Sequence, residues 1–201
     1  RFVDNFDRTS MGSGWGLYSG EGHQGNGTRD PAAFSVNGDV VTVTGTAGGR
    51  SGGAALKNQA MYRDRIETCM RAPAGDEDYH PVLLLWPDAE DWPVGGEVDY
   101  AEIFDGARQE VNFFLHYGSN NSQTHGERTV DATQWHSYAV DWTASCMIGY
   151  IDAVEFFRDC NTAHLPPRDM HATIQLDAFG GDSGYTQSTM QVDSLKIWDG
   201  A

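Results

Sequence analysis

Lysine is nearly absent from this chain, with two in 201 residues, and eleven arginines bring the basic total only to 13 against 29 acidic residues, twenty of them aspartate. The net charge of −16 repels polyanions at long range, which weighs against nucleic acid and sulfated polysaccharides as partners. Neutral glycans are favoured over them. The same acidity also suits a solubility device for a salty or acidic setting, and composition does not choose between the two readings. No window offers about 18 consecutive apolar residues or a sustained helical period, so a transmembrane span is excluded and a soluble chain is expected. The seven histidines contain no HExxH pair and the three cysteines no CxxC, which leaves zinc chemistry without a motif.

What the chain does have is glycine, 24 in all, with nine Phe, eight Tyr and six Trp. Short alternating runs such as Asp39-Val40-Val41-Thr42-Val43-Thr44 recur between clusters of Gly, Asn and Asp. Alternation with period two turns one face of a strand to the core, so many short runs of this kind predict an all-β sandwich or barrel. The length suits one sizeable core, and with no linker or repeat in sight residues 1–201 are expected to form a single domain.

The segment Glu97-Val98-Asp99-Tyr100-Ala101-Glu102 concentrates three carboxylates on an apolar, strand-like stretch, where unpaired charge is costly to bury. In a strand Glu97 and Asp99 share a face and Val98 points away. Strict alternation would place Ala101, not Glu102, with them. Glu102 joins that face only if a β-bulge near Tyr100 or Ala101 absorbs one extra residue, and bulges often re-aim side chains beside active sites. Two carboxyl groups about 5 Å apart, one ionised and one protonated, suit retaining glycoside hydrolysis, and a third between them can hold and trade a proton. A solvated strand face or a calcium site would use the same residues.

The surrounding residues narrow that choice. Leu83 to Phe104, LLLWPDAEDWPVGGEVDYAEIF, resembles the active-site segment of the family 16 glycoside hydrolases, in the bulged Glu-x-Asp-x-x-Glu branch that includes laminarinases. Tyr62 to Arg71 (YRDRIETCMR) resembles the family's Tyr-Gly-x-x-Glu-x-Arg strand, with Arg63 in place of the usual Gly. Phe114 to Gly118 (FLHYG), Trp135 to Trp142 (WHSYAVDW) with Tyr150-Ile151-Asp152, and Val192 to Trp198 (VDSLKIW) resemble further strands in the family's order. The resemblance implies a concanavalin-like β-jelly-roll sandwich of two antiparallel sheets, whose concave sheet forms the substrate cleft. It implies an endo-acting retaining β-glycosidase with Glu97 as nucleophile, Asp99 as assisting carboxylate and Glu102 as general acid/base. It also places His116 beside the acids and Trp92 against the sugar. No cofactor is implied for catalysis. A structural calcium is, held by Asp193 and by backbone carbonyls for which Gly38 is a candidate.

Other side chains follow from what a glycan cleft needs, flat apolar platforms and polar groups for hydroxyls. Trp86 lies on the strand before Trp92, with Trp15 as a further candidate for either cleft or core, while Trp135, Trp142 and Trp198 are expected in the core. Gln175, in the strand-like Ala172 to Leu176, and Tyr185, in the segment Ala178 to Tyr185, are candidates for sugar contacts. Cys146 and Cys160 are almost equidistant from a turn near Asp152-Ala153, so a hairpin would set them opposite each other within bridging reach. Their disulfide predicts an extracellular, secreted protein and leaves Cys69 as a buried free thiol. The chain starts at Arg1 directly before strand-like sequence, as a processed protein would. The expected partner is a polysaccharide, with no nucleic acid, no membrane and a monomeric state. A β-1,3-glucan is the first choice of substrate and a β-galactan the second. A lectin on the same fold would be marked by loss of a catalytic acid, and a polysaccharide lyase by a Tyr/His pair in a basic groove.

Overall fold

In the computed structural model, which describes residues 1–180 and 184–200, the alternating runs become strands of two stacked sheets. Strands are numbered in chain order. The eight-stranded sheet runs β15 (Val154–Asp159), β14 (Met147–Ile151), β13 (His136–Trp142), β8 (Arg65–Arg71), β17 (Ser188–Trp198), β6 (Val40–Gly45) and β5 (Phe34–Asn37), with β1 (Phe2–Asp4) also on β17. The nine-stranded sheet runs β12 (Ser122–Thr129), β11 (Glu110–Tyr117), β10 (Glu97–Glu102), β9 (Tyr79–Pro87), β16 (Met170–Ala178), β7 (Arg50–Leu56), β4 (Thr28–Arg29) and β3 (Gly20–Glu21), with β2 (Trp15–Leu17) also on β7. The ladders are antiparallel except β4 on β7, a parallel pair in an otherwise antiparallel sandwich.

Period-two patterning decides which face is buried. In β6, Val41 and Val43 are fully buried while Thr42 and Thr44 between them are not, and β8 repeats the pattern with Ile66, Thr68 and Met70. Fully burying one Val or Ile is worth about 1.5–3 kcal/mol, so each strand is fixed in register by its inward face. The sheets meet through side chains such as Tyr100 of β10, whose hydroxyl lies 2.9 Å from Thr68 Oγ1 of β8. Strand β9 is apolar on both faces, since Leu83 and Leu85 enter the core while Val82, Leu84 and Trp86 line a cleft on the sheet's outer face. No described helix is long and apolar enough to cross a membrane.

The hairpin of β14 and β15 turns at Asp152 and Ala153, both with positive φ, and pairs Met147 with Asp159. That register continues to Cys146 and Cys160, which form a disulfide with Cα atoms 4.0 Å apart. Cys69 is free but only half-buried, because it occupies an outward position in the alternation of β8. Trp142 is core as expected. Trp135 and Trp198 are instead each 38% exposed, the first at the end of a loop and the second on the outward face at the end of β17, paired with Arg65. Trp15 is buried, its ring tilted against Phe6 and its Nε1 donating to Asp4, so it belongs to packing and not to the cleft.

Candidate active site

The site is built by an irregularity in β10. Against β11, Glu97, Val98 and Asp99 pair with His116, Leu115 and Phe114, but the next pair is Glu102 with Asn112, so three residues on β10 are matched by two on β11. Against β9 the slip falls between Asp99 and Ala101. The extra residue lies where alternation fails: Val98, Tyr100 and Ala101 are all fully buried in the core, whereas Glu97, Asp99 and Glu102 line the same cleft. Two consecutive apolar residues facing inward are what a bulge permits and a regular strand forbids.

The acids sit in an unequal environment. Asp99 is enclosed, 4% exposed, with Oδ2 3.1 Å from His116 Nε2 and Oδ1 without a hydrogen-bond partner. Burial, followed by the negative charge of Glu102, pushes its carboxyl well above the usual carboxylate range. Burial and then the charge of Asp99 do the same to Glu97, while His116 and a hydrogen bond with the Trp92 side chain work the other way. His116 Nδ1 lies 2.8 Å from Asn121 Oδ1 and 3.2 Å from Gln123 Nε2. The shorter contact, to a carbonyl oxygen, makes Nδ1 the protonated nitrogen and leaves the Nε2 lone pair toward Asp99. The contact at 3.1 Å is then a hydrogen bond when Asp99 carries the proton. Ligand atoms of Glu97, Asp99 and His116 lie within 4.8 Å of one another, a grouping that could hold a metal ion, although Asp99 Oδ2 and both His116 nitrogens are engaged in these hydrogen bonds.

Around the acids lies a cleft of about 1650 Å³, larger than the few hundred to 1,000 Å³ typical of pockets for small ligands. Trp86 and Trp92 lie in it with near-parallel planes, 11° apart and 6.3 Å between centroids, and Trp92 is 42% exposed. Trp86 Nε1 donates to Glu90 at 2.9 Å. Gln175 and His116 also face the cleft, and Gln175 Nε2 donates to Asp177. Tyr185 is a correction: it packs on Tyr79 at 4.9 Å, outside the residues that line the cleft, because the chain leaves the sheet after Ala178. Of its segment, Gly181, Asp182 and Ser183 lie outside the described residues. Asp193 and Gly38 are both exposed and far in sequence, but the register brings them to one end of the other sheet. β17 slips between Val192 and Ser194, and its last pair with β6, Val192 with Val41, lies just above the Gly38-Asp39 turn. Among the described residues, Asp193 belongs to no group of three or more metal-binding side chains.

The sequence reading missed one wall. Phe104, Phe114 and Phe179 line the cleft, and His80 stacks on Phe179 at 3.8 Å with Nδ1 3.5 Å from Glu102 Oε1. The available signal was parity, since His80 shares a face of β9 with Val82, Leu84 and Trp86.

The family model described as Glycosyl hydrolases family 16 matches residues 28–200. The chain is 26% identical over 189 residues to the endo-1,3-1,4-beta-glycanase ExsH of Rhizobium meliloti, a match that takes in 82% of this chain and 39% of that protein. The chain thus spans about two fifths of that relative's length. It superposes on a family 16 endo-glucanase from Bacteroides ovatus in complex with G4G3G-2F-DNP, with TM-score 0.82, 20% identity, and 98% of this chain and 99% of the other covered. The laminarinase from Rhodothermus marinus gives TM-score 0.87 at 20% identity, covering 99% of this chain and 96% of the other. At these identities the likeness of the solved structures is one of fold.

Proposed function

The chain belongs to glycosyl hydrolase family 16, an endo-β-glycosidase family, and from that premise we propose that Glu97, Asp99 and Glu102 carry a retaining hydrolysis of a neutral polysaccharide. The observation that supports this most is the bulge in β10, which turns three carboxylates to one cleft floor while Tyr100 and Ala101 stay in the core. A strand kept for packing alone gains nothing from burying Asp99.

Glu97 attacks the anomeric carbon, and Glu102 protonates the departing glycosidic oxygen, then removes a proton from the water that releases the glycosyl-enzyme. Glu97 must be ionised to attack, although burial and Asp99 both favour its protonated form. Asp99 resolves the conflict. It is the more enclosed of the two, hydrogen-bonds Glu97, and has the Nε2 lone pair of His116 to receive its proton, so the shared proton rests there and Glu97 carries the charge.

The substrate we propose first is a β-1,3-glucan. The solved relative from Rhodothermus marinus is named a laminarinase and the curated relative an endo-1,3-1,4-beta-glycanase, so mixed-linkage glucans belong in the same test. A β-galactan is second. Residues 1–201 act as one domain and a monomer in this reading, and the Cys146–Cys160 disulfide supports secretion. The register slip at Asp193 beside the Gly38 turn supplies a carboxylate and backbone carbonyls, hard oxygen donors of the kind a structural calcium takes.

The test is a panel of neutral β-glucans and galactans, with reducing ends and product sizes measured, run on the parent and on Glu97→Gln. Oligosaccharide products with retained anomeric configuration, and loss of at least about a thousandfold in kcat with the fold unchanged, are expected. A variant within tenfold of the parent rules out Glu97 as nucleophile. Binding without cleavage by the parent would favour a lectin.

A further inference from the structure

Glu102 pairs across the β9–β10 ladder with Val82, and two residues back on the same face of β9 stands His80. Its Nδ1 lies 3.5 Å from Glu102 Oε1, with the two side chains only 13% and 12% exposed. The ring is held from both sides, stacked on Phe179 at 3.8 Å and 18° and leaning on Phe104 at 5.1 Å. Glu102, Phe104 and Phe179 line the cleft but His80 does not. An imidazole wedged behind two aromatic walls, with one nitrogen toward a carboxylate at the cleft, acts on a bound sugar only through that carboxylate.

We propose that His80 is a positioning residue for Glu102, donating from Nδ1 to Oε1 and holding the carboxyl at the glycosidic oxygen. The inference rests on Glu102 being the general acid/base. The ionisable groups facing His80 are Glu102 from β10, Asp177 across the β9–β16 ladder, and, beyond Phe179, His23. The charge of Asp177 is already met by Arg29, whose Nη2 lies 2.7 Å away, with His23 Nδ1 at 3.9 Å. That leaves Glu102 as the carboxylate for the imidazole N–H. A donor on Oε1 holds the carboxyl in one orientation through both steps, as the acid that meets the glycosidic oxygen and as the base that meets the water. Hydrogen bonds of this kind are often long before substrate closes the site.

His80→Phe keeps the aromatic stack and removes the donor, and His80→Gln returns an N–H without the ring. Both are assayed with laminarin, or whichever polysaccharide of the panel is cut, and with the 2,4-dinitrophenyl glycoside of the matching disaccharide, whose leaving group needs no proton. For His80→Phe we expect kcat on the polysaccharide to fall roughly tenfold or more with KM within twofold. The pre-steady-state burst rate on the dinitrophenyl glycoside should be unchanged, His80→Gln should recover part of the loss, and His80→Phe should cost nothing further in a Glu102→Gln background. A parent-like rate in His80→Phe with a parent-like melting temperature, or an equal further loss in the Glu102→Gln background, overturns the proposal. Parent-like turnover of the polysaccharide by Glu102→Gln alone removes the acid/base assignment beneath it, and that result is read without any His80 variant.

Discussion

Directly across the β10–β11 ladder from Glu97 stands His116, and its imidazole reaches diagonally past Glu97 to Asp99, Nε2 to Oδ2, at 3.1 Å. One ring therefore faces both acids of the coupled pair. It favours the ionised form of Glu97, and its Nε2 accepts a hydrogen bond from protonated Asp99. His116→Phe removes both effects while keeping a flat ring on the strand. Glu97 then ionises at higher pH, so the acidic limb of kcat/KM should move upward, with kcat down roughly tenfold. A pH profile of the variant against the parent decides it; an unmoved acidic limb would detach His116 from the pair.

Asp99→Asn tests the pair from the other side. The negative charge of ionised Asp99 raises Glu97, and the amide of Asp99→Asn can never carry it, so the acidic limb should stay in place or move to lower pH, not upward as in His116→Phe. Activity should also fall, since the shared proton loses its seat.

The same substitution should stabilise the fold at neutral pH. A carboxyl raised above its unfolded value holds a proton in the folded state that the unfolded chain has lost, so stability falls as pH rises from the ordinary carboxylate range toward the raised value. Below that range both states are protonated and nothing is lost. Asp99→Asn, which takes up no proton on folding, should therefore raise the melting temperature at pH 7 and by much less at pH 4. Equal shifts at both pH values would mean that the charge of Asp99 is not what destabilises the site.

Much of this site was legible because it breaks a local rule. Alternation placed Glu97 and Asp99 together and could accommodate Glu102 only by a bulge, which is what the register shows. The disulfide followed from hairpin symmetry alone. Arg63, in a position where the resembled strand has glycine, takes φ of +60°, a conformation costing a side chain about 1–2 kcal/mol, and its guanidinium lies 4.9 Å from the Tyr62 ring. The sequence shows the substitution but not the backbone angle that makes glycine the easier choice. What was hidden depends on contacts between distant segments. His80 gains meaning only when β16 carries Phe179 over it, and Tyr185 leaves the cleft because Tyr79 offers it a ring. Trp135 and Trp198 read as core by residue type, yet they stand at segment ends where no facing strand covers them.

The disulfide closes β14 and β15 at the edge of the eight-stranded sheet, away from the acids on β10. A cross-link over 14 residues stabilises by about 3 kcal/mol, chiefly by restricting the unfolded chain. Cys146→Ser should lower the melting temperature by roughly 6–12 °C and leave kcat and KM unchanged at 25 °C. Cys69→Ser, on an outward half-buried position, should change neither the melting temperature nor the kinetics. Thermal melts with and without reductant check this, and a parent melt insensitive to reductant would count against the bridge as a stabilising element.

Trp92 offers the sharpest separation of binding from chemistry, because its two parts act on different things. The indole face, 42% exposed and near-parallel to Trp86, gives a sugar ring a flat apolar platform. Its hydrogen bond with Glu97 favours the ionised form of that carboxyl. Trp92→Phe keeps most of the platform and removes the donor, so KM should change less than threefold while the acidic limb of kcat/KM moves to higher pH. Trp92→Ala removes both. It should show the same shift of the limb together with a KM raised about tenfold or more, equivalent to roughly 1.4 kcal/mol of lost stacking. If Trp92→Phe and Trp92→Ala raise KM equally and neither moves the limb, the ring acts as a wall of the cleft and not as a partner of Glu97. If the limb moves in both but KM in neither, the platform for the sugar lies elsewhere, with Trp86 the next residue to remove.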